Sequence, residues 1–324
     1  MAEPWMDFRN FLGVHNLIGD PWRIPVGKGG AYLEVCENID IDDEKMIHRR
    51  KGFDPVLSGN VHSLWSNGKY CFFCEGTNLK RLFEDYSTET LLSILKLDER
   101  VNYVDGDGTI FFSSRSIVGY LEEGKAYAFP NPNLKFKNRM VGGHLIEYYN
   151  SRLYAAQGVK VFFSDATHPM RMDMRKNFLE FGGWITMLKA VKDGLYIGAG
   201  DDVFFLLGDD PFAEGGFLYD RVTDSKVIEG SAITVEGEDI GPGLLGRTVI
   251  WATEDGIYVG ATSGQVKEVT KGAYGVKDGE KATALYKFDR GFGQYLCLYE
   301  LVEGAGGGEL NLTMPVPSIE MAGH

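Results

Sequence analysis

A short phrase recurs along this chain: a turn dipeptide, a strand opening on an aromatic or aliphatic residue, a break of small residues, then a second strand. Its copies are Asn67-Gly68-Lys69-Tyr70 before CFFCEGTNLKRLF, Asp107-Gly108-Thr109-Ile110 before FFSSRSIVGYL, and Asn150-Ser151-Arg152-Leu153-Tyr154 before AAQGVKVFF. Two more are Asp193-Gly194-Leu195-Tyr196 before IGAGDDVFFLL and Asp255-Gly256-Ile257-Tyr258 before VGATSGQVKEV. A degenerate sixth, Arg290-Gly291-Phe292-Gly293-Gln294-Tyr295, precedes LCLYELV. The first four copies start about 40 to 43 residues apart, the length of one four-stranded propeller blade. The fifth lies about 62 residues beyond the fourth, and the Gly-rich sequence from Glu236 to Gly246 accounts for the excess as an insertion.

Between these punctuation points the hydrophobic pattern has a period near two, in short runs rich in β-branched and aromatic residues. No window keeps a sustained helical stripe; the best helical candidates, Phe8 to Leu17 and Asp173 to Phe178, are short. The sequence therefore predicts an all-β chain, a β-propeller of six blades. The sixth unit supplies only two strands, Thr283 to Phe288 and Gln294 to Leu301, while two strand-like runs, Tyr32 to Ile41 and Lys45 to Arg50, stand unassigned at the other end. Closing the ring with the N-terminal strands removes exposed edges, so the expected junction lies between residues 32–50 and 281–301. The alternative is a stack of sandwich domains with similar hairpins. The organisation read from the sequence is an N-terminal arm over 1–31, a propeller over 32–302 and a Gly-linked C-terminal tail over 303–324.

Composition narrows the function. The 42 glycines in 324 residues suit many tight turns. A formal charge of −13 argues against a broad, salt-sensitive grip on duplex DNA, which needs Lys/Arg patches to displace counterions. Met1 to Asn10 carries Glu3, Asp7 and Arg9 and no apolar core of a secretory signal, and no apolar run approaches the length of a membrane span. Four cysteines, Cys36, Cys71, Cys74 and Cys297, are few for this length and suit folding in a reducing cytoplasm.

The search for chemistry returns no catalytic, cofactor or metal set. Asp105-Gly106-Asp107-Gly108 resembles the start of a calcium loop, but Ser116 stands where the bidentate Glu belongs, and a solvent-facing turn is the better reading. Asp40, Asp42, Asp43 and Glu44 read as a polar corner between strands. Cys71 and Cys74 form a CxxC inside a predicted strand, where positions i and i+3 point to opposite faces, so they read as buried free thiols. The six histidines (His15, His48, His62, His144, His168 and His324) show no metal pairing and no nucleophile partner and read as turn or edge residues. Gly27-Lys28-Gly29-Gly30 lacks a phosphate-loop frame, and no basic–aromatic interleaving of a nucleic-acid surface is evident in the linear sequence. Trp22-Arg23-Ile24-Pro25 resembles the Arg-Ile-Pro element of sialidases, but their repeated Ser-x-Asp-x-Gly-x-x-Trp box is absent.

Three phrases carry a different resemblance. Asn38-Ile39-Asp40-Ile41-Asp42-Asp43 followed by Arg49-Arg50-Lys51-Gly52-Phe53 is similar to the opening of bacteriophage tail proteins built on a propeller. Phe163-Ser164-Asp165-Ala166-Thr167-His168-Pro169 resembles their mid-chain aromatic-Ser-Asp…Pro phrase, and Trp251 to Gly260 resembles their late-blade Trp-x-Thr-x-x-Gly-hydrophobic-Tyr phrase. The resemblance spans about residues 32 to 301 and is to the tail hub or nozzle proteins of short-tailed phages. It implies a non-enzymatic virion protein, made in the host cytoplasm, that forms a ring, usually hexameric, beside adaptor and tail-fibre proteins and encloses the genome channel. An acidic lining would let DNA pass without specific binding. The chain is shorter than the larger nozzle proteins. The rival readings are a propeller that binds or hydrolyses host surface glycan, and a cellular propeller adaptor.

The expected site residues are therefore assembly contacts. Trp5, Phe8, Phe11 and Trp22 in the N-terminal arm are apolar anchors of the kind enriched in interfaces. Leu310, Leu312, Met314 and Val316 alternate in the tail as an added strand would, and are expected on a neighbouring subunit.

Overall fold

The structure is a computed structural model that describes residues 11–14, 31–33, 39–41, 47–49, 54–93, 95–97, 99–122, 124–241, 244–270, 274–275, 279–289, 292–301 and 311–315. The chain divides into two compact units, one comprising 53–190 and 208–218, the other 1–52, 191–207 and 219–324.

The first unit holds three four-stranded antiparallel sheets. They are built from Val61–Ser66, Cys71–Glu75, Asn78–Leu82 and Thr88–Leu92; from Asn102–Gly106, Thr109–Ser113, Val118–Glu122 and Lys125–Ala128; and from Leu145–Tyr149, Arg152–Gln157, Lys160–Phe163 and Phe178–Glu180. In each sheet consecutive strands are neighbours, as expected of propeller blades. The repeated dipeptides are the turns that make this possible. Asp107 and Gly108 have φ of 51° and 83°, and Asn150 and Ser151 of 43° and 61°, so both loops have positive φ at both central positions. That geometry matches the twist of the flanking strands.

The second strand of each of these sheets is buried on both faces while Thr88–Leu92 and Lys125–Ala128 are not, which explains the unbroken apolar runs in the repeat. Ile110 and Phe112 pack with Phe72, Leu79 and Tyr103 of one core cluster. Phe111, between them in sequence, packs with Ile146, Leu153 and Ala155 of the next. Strand alternation thus sends successive side chains of one strand into two different cores. The packing is tight enough to require glycine at the join. A Cβ on Gly106 would lie 2.6 Å from the Tyr148 ring, whose hydroxyl donates to Asp107 Oδ2 at 2.7 Å.

The second unit contains the hairpin Gly194–Ala199 with Asp202–Leu207, turned at Gly200 with φ of 62°. It also holds a four-stranded sheet of Ile233–Glu236, Arg247–Ala252, Ile257–Gly260 and Val266–Glu268. The expected insertion lies between the first two of these strands and contains the short helix Gly237–Ile240. Gly279–Asp289, Phe292–Leu301 and Asn311–Pro315 form a three-stranded sheet, and Ile39–Ile41 pairs with Ile47–Arg49 as a hairpin.

Four expectations change. The helical candidate Phe8 to Leu17 contains instead the strand Phe11–Val14, paired in parallel with Ala31–Leu33, and Asp173 to Phe178 is a turn running into a strand. The tail strand, expected on a neighbouring subunit, pairs instead with Phe292–Leu301 of its own chain. Its Gly-rich lead allows the chain to return, and its alternation suits an edge already present in the same chain. Gly194 and Gly256 do not adopt positive φ, so the positive-φ turn holds in the first three copies, at Gly68, Gly108 and Ser151, and not in these two. His144 is not a surface turn residue: it is 5% exposed, stacks on Trp184 at 4.6 Å and donates from Nε2 to the Ile185 carbonyl at 2.7 Å.

Candidate functional site

Of the expected assembly residues, Trp5, Phe8, Trp22, Leu310 and Val316 lie outside the described residues. Phe11 occupies a strand position opposite Ala31. Leu312 stands opposite Cys297 and Met314 opposite Tyr295, in register on Phe292–Leu301 of the same chain. Of the two sets, the structure thus places Phe11 on one strand pair and Leu312 and Met314 on another.

The phrases behind the tail-protein resemblance are built into the fold as turn clamps. Thr253 is fully buried at the end of Arg247–Ala252. Its Oγ1 accepts from the backbone N–H of Asp255 at 3.2 Å and of Gly256 at 3.1 Å, and donates to the Gly256 carbonyl at 3.2 Å. Ser225 donates to Asp255 Oδ2 at 2.6 Å from the other side of the turn. Trp251 stacks on Tyr258 with centroids 5.8 Å apart and meets the Tyr196 ring at a tilt, centroids 5.6 Å apart. Thr253, Asp255 and Gly256 of this phrase are thus occupied in holding a hairpin, and Trp251 and Tyr258 in packing beside it.

The mid-chain phrase does the same around a carboxylate. Asp165 Oδ2 takes Lys137 Nζ at 2.5 Å and Arg171 Nε at 3.2 Å, while Oδ1 takes Asn177 Nδ2 at 3.2 Å. Burial alone would raise this carboxyl, but the donors from Lys137, Asn177 and Arg171 outweigh it and hold it below the ordinary range. Next to it, buried Arg152 donates to the Ser164 carbonyl at 2.8 Å and to Asp210 Oδ1 at 2.9 Å. A carboxylate saturated by three donors is a structural hub and offers no lone acid or base.

The other sequence candidates also fall into place. Asp107 and Gly108 form a hairpin turn, with Asn67 donating to Asp105 Oδ2 at 2.9 Å and Tyr148 to Asp107. Cys71 is half-buried, Cys74 and Cys297 are buried, all three are free, and burial pushes each thiol up. Among the described residues no group of three or more His, Cys, Asp or Glu side chains is arranged to hold a metal ion. No helix among them is long and apolar enough to cross a membrane. The hairpin Ile39–Ile41 with Ile47–Arg49 carries part of the opening phrase; the rest of that phrase lies outside the described residues.

One concave feature was not singled out in the sequence. In the first unit a cavity of about 610 Å³ is lined by Tyr70, Phe72, Arg81, Leu91, Tyr120 and Glu122, among others. Tyr70 lies just before the strand Cys71–Glu75 and Tyr120 in Val118–Glu122 of another sheet, so their proximity has no linear signature. The Arg81 guanidinium lies 5.1 Å from the Tyr70 ring.

No family model matches the chain, and no curated protein matches it. Solved structures do. The chain is similar to BBS1N in its complex with ARL6DN, at 11% identity and a TM-score of 0.52, covering 85% of this chain and 86% of that one. Fainter likenesses are to the gluconolactonase XC5397 of Xanthomonas campestris, at 9% identity and a TM-score of 0.45 with 75% and 84% covered, and to the N-terminal domain of Nup159, at 10% and 0.42 with 74% and 73% covered. Sequential four-stranded antiparallel sheets and the likeness to BBS1N define the class: this is an all-β protein of the β-propeller fold. At such identities the likeness speaks for the fold alone.

Proposed function

We propose that this chain is a non-enzymatic structural protein of a bacteriophage tail, a hub or nozzle component that assembles as a ring, six copies in the simplest case, around the genome channel. The observation that carries the reading is the ordered set of three phrases resembling tail propellers, two of which serve as turn clamps within a propeller fold. Residues held for turn geometry suit a scaffold. On this reading the propeller has six blades, adaptor and tail-fibre proteins flank it, and duplex DNA passes an acidic surface without being gripped. The arm residues Trp5, Phe8, Phe11 and Trp22, and the tail residues Leu310, Leu312, Met314 and Val316, are its assembly contacts.

Mass determination of the purified protein and of particles tests this. A closed ring in solution, and the chain present in purified virions, is the expected result. A stable monomer absent from virions overturns it. Deleting residues 303–324 is expected to leave the sheets folded and to impair the ring, and an unchanged oligomer would count against the tail as a contact.

A second reading rests on the cavity. Half-exposed tyrosines beside an arginine and a glutamate suit a sugar ring, so the chain could instead bind host surface glycan in the first unit. Binding of bacterial polysaccharide that is lost in Tyr120→Ala would favour that reading; no binding across a panel of such glycans would remove it.

A further inference from the structure

The segments 134–139 and 171–176, read separately, are two short charged stretches; in the first unit they lie side by side. Asn138 pairs with Met172 and Arg139 with Arg171 in a small antiparallel ladder, extended by Met140 N–H to the Met170 carbonyl at 2.9 Å. The pairing brings together Lys135, Lys137, Arg139, Arg171, Arg175 and Lys176, with Asp165 and Asp173 ion-paired among them. Asp165 is shared by Lys137 and Arg171, and Asp173 is taken by Arg175 at 2.7 Å. Lys135, Arg139 and Lys176 are exposed and have no ion-pair partner among the described residues, although the Arg139 guanidinium also donates to the Phe129 carbonyl at 3.5 Å. In a chain of net charge −13 this is a local excess of positive charge.

Aromatic and sulfur groups are set among these cations. Phe136 is 59% exposed, and its ring lies 5.0 Å from Lys135 Nζ and 4.5 Å from the Arg175 guanidinium. Phe136 has φ of 64°, a left-handed conformation that a bulky side chain rarely adopts and that local packing must enforce. Met174, next in sequence to Arg175, is 47% exposed. At the far edge Lys176 lies 5.1 Å from the exposed Phe212 ring, and the patch ends there, at the loop bearing Asp209, Asp210 and Glu214.

We infer that this surface binds single-stranded nucleic acid, with Lys135, Arg139 and Lys176 on backbone phosphates and the Phe136 ring under a base. The arrangement is that of a sequence-tolerant single-strand surface: cations that track the backbone and an exposed ring on which a base stacks. Duplex offers phosphates but no free base face, and an acidic peptide offers charge without a π-face, so the exposed ring selects the single strand. The run Lys135-Phe136-Lys137-Asn138-Arg139 interleaves cations with an aromatic residue in the linear sequence itself, and pairing with the second segment adds Arg171, Arg175 and Lys176 beside it. This inference does not depend on the tail reading.

The test is fluorescence anisotropy of a labelled oligothymidine strand with the full chain, titrated at several salt concentrations. With three phosphate contacts, log K is expected to fall against log salt with a slope of about −2. The combined variant Lys135→Ala, Arg139→Ala, Lys176→Ala should abolish binding. Phe136→Gly removes the ring while placing at positive φ the residue that prefers it, so it should fold as the parent by circular dichroism yet bind about tenfold more weakly. Salt-independent binding, or binding retained by the triple variant or undiminished by Phe136→Gly, overturns the proposal. So does equal competition by duplex of the same length or by polyglutamate.

Discussion

Replacing Thr253 by valine keeps the volume of the side chain and deletes one oxygen. In the folded chain that oxygen accepts from the N–H groups of Asp255 and Gly256 and donates to the Gly256 carbonyl. The Gly256 contact is fully buried and the Asp255 contact partly so. A buried donor stripped of its acceptor costs about 1–3 kcal/mol, and water can reach part of the second, so Thr253→Val should destabilise by about 2–3 kcal/mol. Thr253→Ser keeps the hydroxyl, loses a methyl, and should cost about 1 kcal/mol. Urea unfolding gives the overall difference. Native-state hydrogen exchange reads the site directly, because the Asp255 and Gly256 amides should exchange faster in Thr253→Val while those of Cys71–Glu75, in the other unit, stay unchanged. If Thr253→Val and Thr253→Ser unfold alike and both amides keep their protection, the clamp does not hold this turn, and the structural account of the phrase Trp251 to Gly260 fails.

Gly106→Ala places a Cβ 2.6 Å from the Tyr148 ring and should cost about 1–3 kcal/mol in urea unfolding, whereas Gly108→Ala, with open space around it, should show only the cost of its positive φ. Cys74 and Cys297 are buried and their thiols are pushed up by burial, so native maleimide labelling near neutral pH should fall on Cys71 before either of them; mass spectrometry after digestion reads the order. The Asp165 carboxyl is held below its unfolded value of about 3.9, so its stabilisation is complete above about pH 4 and is lost as pH falls through the folded value. Asp165→Asn should therefore be less stable than the parent at pH 7 and flatten the acid limb of the stability–pH curve; an unchanged acid limb would contradict the hub. Burial, then the Asp107 carboxylate, pushes the Tyr148 phenol up to about 12, so spectroscopic titration should find it still protonated at pH 11 and ionising early in Tyr148's neighbour variant Asp107→Asn.

The repeated dipeptide made most of the fold legible in the sequence. A two-residue turn with positive φ has few solutions, so Asp107-Gly108 and Asn150-Ser151 announce hairpins, and their spacing announces a four-stranded unit. Period-two alternation was readable as strand, but not as two-sided burial. That Ile110 and Phe111 enter different cores depends on which sheets lie on either side, and a strand pattern does not carry that information. The last sheet escaped for a related reason. Any alternating apolar run fits an exposed edge, and the sequence offered two, 32–50 and 310–316; the structure pairs Asn311–Pro315 with Phe292–Leu301. Edge pairing is backbone chemistry with little side-chain specificity, so chain length and linker composition decide it more than residue type.

Charge was the least legible property, and the reason lies in how it is summed. A net value of −13 averages over the whole surface, yet a phosphate or a carboxylate in solution responds to charges within about one Debye length, near 8–10 Å. Lys135, Arg139 and Lys176 fall within a few residues of the ladder that joins Asn138 to Met172, but lie in segments separated by two hairpins. The same folding step that concentrates them also consumes nearby carboxylates: Asp165 and Asp173 are occupied by Lys137, Arg171 and Arg175, which lowers the local negative charge a partner would meet. A chain that is acidic overall and basic at one place can repel duplex along most of its surface and still hold a strand at that place. The two properties do not compete, because each acts only within about one Debye length.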